Sequence, residues 1–274
     1  ALREFLFSDV ELSYISNNIS LLSSHLLKNP TDMALRKATS TTDGDLLLLV
    51  NATDGSLATY SILRGQNVIA PSLSTTDGTF EKVGVDVDQI YFVVKRTISS
   101  STKYYVECFN DDNTTDSSKL LSGGSKPSTT TVTGLSHLEG KTVKVIADDS
   151  MQNDKTVSSG QITLDAVPTT YVEIGLDYTP EVKTLPVELK LSSGNIVAQK
   201  KRIIEATCNL YLSQNLTLNG KDFLFTVGSG QFFTGKKRRK PMLGFDREGQ
   251  MTFSQSSPLF FTLLGVEYKV SVGQ

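Results

Sequence analysis

The side chains best suited to contact a charged ligand form one run near the C-terminus. It consists of five consecutive basic residues, Lys236, Lys237, Arg238, Arg239 and Lys240. A glycine precedes the run and a proline follows it, so the pattern predicts an exposed loop. Such a loop could contact DNA phosphates, stay solvated, or contact an acidic surface of another subunit, and the sequence leaves these three interpretations open.

A hydroxyl, an imidazole and a carboxylate also lie close together in the segment Ser136-His137-Leu138-Glu139. A catalytic triad is defined by geometry in space, and neighbours in a turn do not necessarily face one another. The segment therefore favours a tight turn whose polar groups satisfy the backbone. The sequence has no phosphate-binding glycine loop, no nucleophile elbow and no HExxH motif. We expect no catalytic residues, no cofactor and no metal, and hence a protein that is not an enzyme.

One enzymatic alternative stays open, a glycan-cleaving activity. It requires two carboxylates held roughly 5–10 Å apart. Glu139 with Asp148 or Asp149 is one candidate pair. Glu173 with Asp177 is another, since residues at even spacing share one face of a strand. Solvated strand faces explain all of these acids equally well.

A glycan- or protein-binding module is the second alternative. Its aromatic surface would consist of Tyr91, Tyr104 and Tyr105, although alternation with valines predicts that two of the three pack in cores. Specific retention on glycans would distinguish such a module from a structural protein.

Length and composition describe a polar globular chain. Its 274 residues are 38% hydrophobic and 20% charged, and the formal net charge is −2. This charge is too small to indicate nucleic-acid binding by the whole chain. No apolar run approaches the ~20 residues of a transmembrane helix, so we expect no membrane-spanning segment. Cys108 and Cys208 lack metal-type spacing and are interpreted as two buried thiols.

The elements that must position these residues are mostly strands. Short apolar or alternating runs are separated by Asp-Gly and Asn-Gly turns, as in Asp45–Val50 and Ser56–Leu63 around Gly55. The pattern predicts a mainly β fold: an antiparallel propeller- or sandwich-like part plus a β-barrel-like domain. The exception is an N-terminal helix over Asp9–Lys28, where four apolar residues fall on one helical stripe.

Three regions follow from this pattern. The acidic, then Ser/Gly/Pro-rich segment Asn110–Thr131 is predicted to be a linker. Residues 1–125 are predicted to form a propeller-like region with the N-terminal helix, and 126–200 a barrel-like domain. Residues 201–274 are predicted to be C-terminal strands that return to complete the β scaffold.

Several segments resemble one known family. They are Arg3–Met33, Arg64–Ala70, Leu135–Leu164, Tyr171–Pro186 and the stretch from Phe233 to Tyr268. In this order they resemble the C-terminal part of the tail nozzle, or tail tubular protein B, family of short-tailed, podovirus-type bacteriophages. Family members are usually much longer, so the resemblance predicts an N-terminal portion ahead of this chain. The chain departs from the family in having no Trp and in Pro71-Ser72, where an aromatic residue is common.

The resemblance implies a virion structural protein, made in the host cytoplasm and located in the phage tail. Its copies are expected to form a hexameric ring that passes DNA, docks on the tail adaptor ring and carries fibres or spikes. A lumen that bound phosphates tightly would stall the DNA. The basic run 236–240 is therefore expected to lie outside the lumen, or to be neutralised by acids of a neighbouring subunit.

Overall fold

The computed structural model describes residues 1–40, 43–188, 190–191, 194–195, 199–225, 228–241 and 244–273. The chain divides into two compact units, Ala1–Asp112 and Asn113–Gln274. Strands dominate both units, as the sequence predicts. Helical structure in the described ranges is limited to single 3₁₀ turns at Ser24–Leu26, Arg64–Gln66, Gly123–Ser125 and Ser136–Leu138. No helix in this part of the chain is long and apolar enough to cross a membrane.

The described residues of the first unit form nine strands. They are β1 (Arg3–Ser8), β2 (Ser13–Asn18), β3 (Pro30–Arg36), β4 (Asp45–Asn51), β5 (Leu57–Leu63), β6 (Val68–Ser74), β7 (Thr79–Asp86), β8 (Gln89–Ile98) and β9 (Ser101–Cys108). They form an antiparallel hairpin β1-β2, a four-stranded sheet β3-β4-β5-β6 and a three-stranded sheet β7-β8-β9.

The prediction of an N-terminal helix over Asp9–Lys28 is wrong. Its residues form β2, part of the hairpin turn and one 3₁₀ turn. Ser and Asn hydrogen-bond the nearby backbone and so compete with a helix. The Asn18 side chain does this by accepting a hydrogen bond from the Ser20 backbone N–H at 3.1 Å. In addition, the alternation of Phe5, Leu6 and Phe7 on β1 gives this segment a partner strand.

The β4–β5 hairpin is confirmed, and its turn depends on Gly55. This glycine has a φ of +66°, a conformation that L side chains rarely adopt. A Cβ at Gly55 would also lie 2.3 Å from the Cβ of Thr79. Asn51 closes the turn from the strand side, with its N–H 2.9 Å from the Ser56 carbonyl oxygen. Both the turn type and its packing therefore require glycine.

The four-stranded and three-stranded sheets of the first unit share a hydrophobic cluster. Leu48, Val50 and Leu57 of the four-stranded sheet pack with side chains of β7 and β8, including Phe92 and Val94. The opposite face of β4 and β5 forms a second cluster around Tyr60, which is covered by residues from before β1 and after β2. The centre of the four-stranded sheet is therefore buried on both faces, which explains the continuous apolar run in β4.

In the second unit, sixteen strands lie within the described ranges. They are β10 (Asp116–Ser122), β11 (Thr131–Thr133), β12 (Thr142–Ala147), β13 (Ser150–Met151), β14 (Lys155–Thr156), β15 (Gln161–Thr163), β16 (Tyr171–Leu176), β17 (Glu181–Lys183), β18 (Lys190–Leu191), β19 (Gly194–Asn195), β20 (Lys201–Ser213), β21 (Thr217–Leu218), β22 (Lys221–Asp222), β23 (Phe233–Arg239), β24 (Thr252–Ser254) and β25 (Thr262–Val272).

Two hydrophobic clusters organise these strands. The first fills the space between β10-β16-β12-β13 and β11-β15, with fully buried Leu135, Val145 and Ile174. The second lies between β23-β20-β25 and β17-β24-β21-β22, with Leu210 and Phe253 at its centre. All pairings are antiparallel, and the propeller and barrel assignments stay predictions.

The segment 110–131 is more structured than the predicted linker. The break between the compact units falls at its start, after Asp112. Beyond the break, β10 pairs with β16, so Leu121 lies opposite Val172. A polar composition did not prevent strand formation here, because β16 offers an edge. The further division of the second unit at residue 200 stays a prediction.

Candidate functional site

The basic run lies on an edge strand rather than in the predicted loop. Residues 233–239 form β23, which pairs with β20 so that Lys236 lies opposite Asn209 and Arg238 opposite Thr207. Side chains alternate between the two faces of a strand. The consecutive charges are thereby separated onto opposite faces of the β23-β20-β25 sheet. The sequence pattern missed this because glycine and proline at the ends suggested a loop.

The solvent-facing half of the run is paired with acids of the same chain. The Lys236 ammonium lies 2.7 Å from a Glu267 carboxylate oxygen. The Arg238 guanidinium Nε lies 3.6 Å from Glu205. The acids that neutralise Lys236 and Arg238 come from the neighbouring strands β25 and β20 of this chain. These exposed pairs are weak individually, but they lower the positive potential of the face. The expectation that the run lies outside a lumen, or meets acids of a neighbouring subunit, stays a prediction.

The other half of the run covers aromatic rings. Lys237 Nζ lies 4.7 Å from the ring centre of Phe233 and donates a hydrogen bond to the Leu224 carbonyl oxygen. The Arg239 guanidinium lies 5.8 Å from the ring centre of Phe223 and donates to the Asp222 carbonyl oxygen. Stacked in this way, these two cations protect the rim of the second cluster. DNA contact or subunit contact by the basic residues 236–240 stays a prediction.

The Ser-His-Leu-Glu segment forms a turn that its polar groups stabilise. The Glu139 carboxylate accepts hydrogen bonds from the backbone N–H groups of Ser159 and Gly160 at 2.9 and 2.6 Å. The His137 imidazole Nε2 lies 3.2 Å from the Ser117 carbonyl oxygen. Both side chains thus join separate segments of the second unit, as the interpretation of this segment as a turn predicts.

Asp148 organises the segment that precedes β16. It accepts hydrogen bonds from the backbone N–H groups of Thr169 and Thr170, both at 2.7 Å, and from Tyr171 at 3.2 Å. Burial raises the pKa of Asp148, but the hydrogen bonds outweigh burial and hold the pKa well below its usual value. Asp149 accepts the Tyr171 hydroxyl at 2.8 Å. Burial and, to a smaller extent, this contact raise the pKa of Tyr171.

Glu173 and Asp177 do not form the pair that even spacing suggested. Glu173 is only 2% exposed and accepts hydrogen bonds from both backbone and hydroxyl groups of Thr114 and Thr115. Burial raises the pKa of Glu173, and the hydrogen bonds from Thr115 oppose this. Asp177 lies after the end of β16, 3.6 Å from Lys144. Side-chain alternation along β16 therefore does not place Asp177 on the same face as Glu173.

Two of the three candidate tyrosines share an exposed surface. Tyr91 lies opposite Cys108 and Tyr104 opposite Lys95 on the same side of the β7-β8-β9 sheet, about 14 Å apart along the strands. Val93 and Val106 lie between them. Tyr104 is 63% and Val106 77% exposed. We call the set Tyr91, Val93, Tyr104 and Val106 the outer sheet face. Tyr105 lies on the opposite side, half-buried.

The β1-β2 hairpin carries a second exposed apolar surface. Phe5 is 73% and Tyr14 70% exposed, and Phe7 is also exposed. The Tyr14 ring stacks with Phe5 at 6.0 Å and meets Phe7 edge-on at 5.4 Å between ring centres. We call Phe5, Phe7 and Tyr14 the hairpin face. The hairpin face was not predicted because Tyr14 lay within the predicted helix Asp9–Lys28, although the alternation of Phe5 and Phe7 ahead of that helix carries the signal.

The two cysteines differ in environment. Both are free; Cys208 is buried in the second cluster, whereas Cys108 is exposed on the outer side of β9. Burial raises the pKa of the Cys208 thiol to about 11. The prediction of two buried thiols is therefore right for Cys208 and wrong for Cys108, which lies on an edge strand.

Two clefts within the described ranges have charged residues in their lining. One, of about 310 Å³, is lined by Lys201, Asp246 and neighbouring residues. The other, of about 360 Å³, is lined by Arg36, Asp88 and Asp112 among others. Lys201 donates to the Val187 carbonyl oxygen, and Arg36 pairs with Asp43 at 3.1 Å. Among the residues that the structure describes, no three His, Cys, Asp or Glu side chains are grouped as metal ligands.

Comparison with protein-family models and with curated proteins gives no match to this chain. The function is therefore inferred from the geometry above and from the resemblance of the sequence segments.

Proposed function

We propose that this chain is a structural subunit of a homo-oligomeric ring in a phage tail, the nozzle through which DNA leaves the particle. The observation that carries the proposal is the exposure of two separate apolar surfaces on the first unit, the hairpin face and the outer sheet face. Apolar patches of this kind on a stable β scaffold mark interaction sites. The segments that resemble the tail nozzle family supply the particular assembly.

The chemistry of the polar groups supports a structural role. Glu139, Asp148 and Glu173 each accept two or more hydrogen bonds from the backbone, so their carboxylates fix turns and strand ends. The exposed cations of β23 are balanced by Glu267 and Glu205. A face of this kind would let DNA pass without strong attachment, in keeping with a channel.

In the proposed assembly the ring is a hexamer in the virion. It docks on the tail adaptor ring and carries fibres or spikes. The decisive experiment is the mass of the purified chain in solution, measured by analytical ultracentrifugation, together with electron micrographs. Rings with a central opening are expected. A chain that stays monomeric at every concentration overturns the proposal.

A glycan-binding module is the second candidate, because Tyr91 and Tyr104 are exposed on one sheet face. Retention on a glycan array that is lost in Tyr91→Ala/Tyr104→Ala would favour this function. A glycan-cleaving enzyme is tested by assaying polysaccharide cleavage with Glu139→Ala and Asp177→Ala. If the unaltered chain has no such activity, that alternative is removed.

A further inference from the structure

The hairpin face is an unusual feature for the surface of an isolated chain. A two-stranded hairpin is marginally stable in water unless one face is covered. The inner face of this hairpin has a support: Glu4 pairs with Arg64 at 2.5 Å, and Leu6 and Ile15 are half-buried. Phe5, Phe7 and Tyr14 lie on the opposite face and are exposed. Burying them would remove the cost of exposing three aromatic rings.

The tip of the hairpin adds charge to this apolar surface. Asp9 and Glu11 are exposed there, beside Val10 and Leu12, which are 95% and 80% exposed. Neither carboxylate forms an ion pair with another residue in the described part of the chain. Five apolar side chains and two acids thus lie within one hairpin. Their exposed area is several hundred Å², on the order of the roughly 800 Å² that each partner contributes to a stable interface.

The outer sheet face has the complementary character. Tyr91, Val93, Tyr104 and Val106 form an apolar strip on one face of the antiparallel β7-β8-β9 sheet. Lys95 of β8 lies opposite Tyr104 of β9. Lys82 of β7 lies opposite Val93 of β8, on the same face of the sheet. Both lysines are exposed, and neither is ion-paired within the described ranges. One acid, Asp86, lies at the Gln89 end of the same face.

We propose that the hairpin face of one copy of this chain packs on the outer sheet face of a second copy, with Asp9 and Glu11 against Lys82 and Lys95. Two sheets pack face to face readily when their inner side chains are apolar. Unlike charges at the rim would fix the orientation. A hairpin-to-hairpin contact would cover only one of the two apolar surfaces, and it would leave the lysines without acids.

The contact is head-to-tail, since it joins two different surfaces. Repetition of a heterologous contact gives a closed ring when the rotation closes. The inference therefore deepens the proposed ring by naming the two surfaces that join its subunits. It rests on the proposed function for the statement that the assembly closes.

The test uses two charge-reversed chains. The hairpin variant carries Asp9→Lys and Glu11→Lys, and the sheet variant carries Lys82→Glu and Lys95→Glu. All four positions are exposed, so the fold is expected to persist, and thermal unfolding checks this. Because like charges then face each other, each variant alone should associate about 100-fold more weakly than the unaltered chain, or less.

Mixing the two variants tests whether the hairpin face of one copy meets the sheet face of another. The hairpin variant carries basic charge on both surfaces, and the sheet variant carries acidic charge on both. Each hairpin face of one variant is therefore complementary to the sheet face of the other, so an equimolar mixture should recover the assembly with the two variants alternating. A single chain that carries all four substitutions should recover the full assembly. The inference is overturned if neither the mixture nor the chain with four substitutions assembles. It is also overturned if the hairpin variant and the sheet variant each assemble as the unaltered chain does.

Thiol labelling gives a readout that does not depend on mass. Cys108 lies opposite Tyr91 on the covered side of the sheet. Its reaction with a maleimide should slow as the concentration of unaltered chain rises, whereas in the hairpin variant it should stay constant. A rate that is independent of concentration while the chain assembles contradicts the inference but leaves the proposed ring intact. A chain that never assembles overturns both.

Discussion

Arg96 and Glu107 form a two-pronged ion pair on the inner side of the β8-β9 hairpin. Arg96 Nε and Nη2 each lie 2.7 Å from a different oxygen of the Glu107 carboxylate, and Arg96 is only 2% exposed. Arg96 Nη1 also donates to the Asp77 carbonyl oxygen at 2.9 Å. The pair attaches the edge strand β9 to the rest of its sheet and so supports the outer sheet face on the other side.

Glu107→Gln should lower the free energy of unfolding of the first unit by about 1.5–3 kcal/mol, because it weakens two charge-assisted hydrogen bonds to the buried Arg96 guanidinium. The matched control is Glu267→Gln, which breaks the exposed pair with Lys236 and should cost less than about 1 kcal/mol. Urea denaturation followed by circular dichroism measures both. Equal losses in the two variants would show that the Arg96 pair is not special.

Removing the acids beside β23 should strengthen DNA binding. The double variant Glu205→Gln/Glu267→Gln frees Arg238 and Lys236 for phosphates, so duplex DNA should bind more tightly. The logarithmic salt dependence should become steeper by up to about 2, since each new phosphate contact contributes about 0.9. Fluorescence anisotropy at several salt concentrations measures this. Lys236→Gln/Arg238→Gln is the control and should leave the weak binding of the unaltered chain nearly unchanged; a large loss there would contradict the neutralisation.

Acidification should weaken the second unit partly through Asp148. Its pKa is lower in the folded chain than its ordinary value of 3.8, so the unfolded chain takes up the proton first. The stabilisation is therefore complete above that ordinary value and is lost as the pH falls below it. Asp148→Asn should cost about 1–3 kcal/mol at pH 7, and about 1 kcal/mol less at pH 3, where the unfolded chain is mostly protonated at this position and the folded chain is not.

Asp154→Asn is the control for this pH dependence. Asp154 pairs with Lys144 at 3.0 Å and is 46% exposed, so its loss should cost less than about 1 kcal/mol. Urea denaturation at pH 7 and pH 3 compares the variants with the unaltered chain. A deficit for Asp148→Asn that is the same at both pH values would contradict the assigned role.

Two strand glycines should respond in opposite ways to the same substitution. A Cβ on Gly175 would lie 2.2 Å from Thr115 Oγ1 and 2.8 Å from the Asp116 carbonyl oxygen, whereas Gly265 has no heavy atom within 4 Å of the added Cβ. Gly175→Ala should therefore destabilise the second unit by about 1–3 kcal/mol. Gly265→Ala should stabilise it by up to about 1 kcal/mol. Thermal unfolding measures the difference. If Gly175→Ala leaves the stability unchanged, residues 114–116 move to accommodate the added Cβ.

The strands could be predicted from the sequence because side-chain alternation and turn glycines act over a few residues. Asp45–Val50 and Ser56–Leu63 match β4 and β5 closely, since Gly55 alone sets the turn and thereby the register. The same reasoning failed over Asp9–Lys28. There the helical stripe of isoleucines and leucines was real, but pairing with Phe5 and Phe7 of β1 decided the conformation.

The candidate site shows the same division. The sequence alone identified the basic run 236–240 and the turn around Glu139. Its prediction that two of the three candidate tyrosines pack in cores is wrong, since Tyr91 and Tyr104 are exposed. The sequence could not show that alternation on β23 separates Lys236 from Lys237, or that Glu267 and Glu205 lie beside the exposed cations. Such neighbours are more than thirty residues apart along the chain, and only strand pairing brings them together.

The sequence by itself determined that this chain is a β protein with turns at fixed positions, because side-chain alternation and glycine conformation act over a few residues. Only the tertiary structure decided which faces are buried. Strand order placed Tyr105 inside and Tyr104 outside, buried Glu173 under Thr114 and Thr115, and left Phe5 and Tyr14 exposed. Burial depends on which elements meet, and contacts between distant segments of the chain settle that.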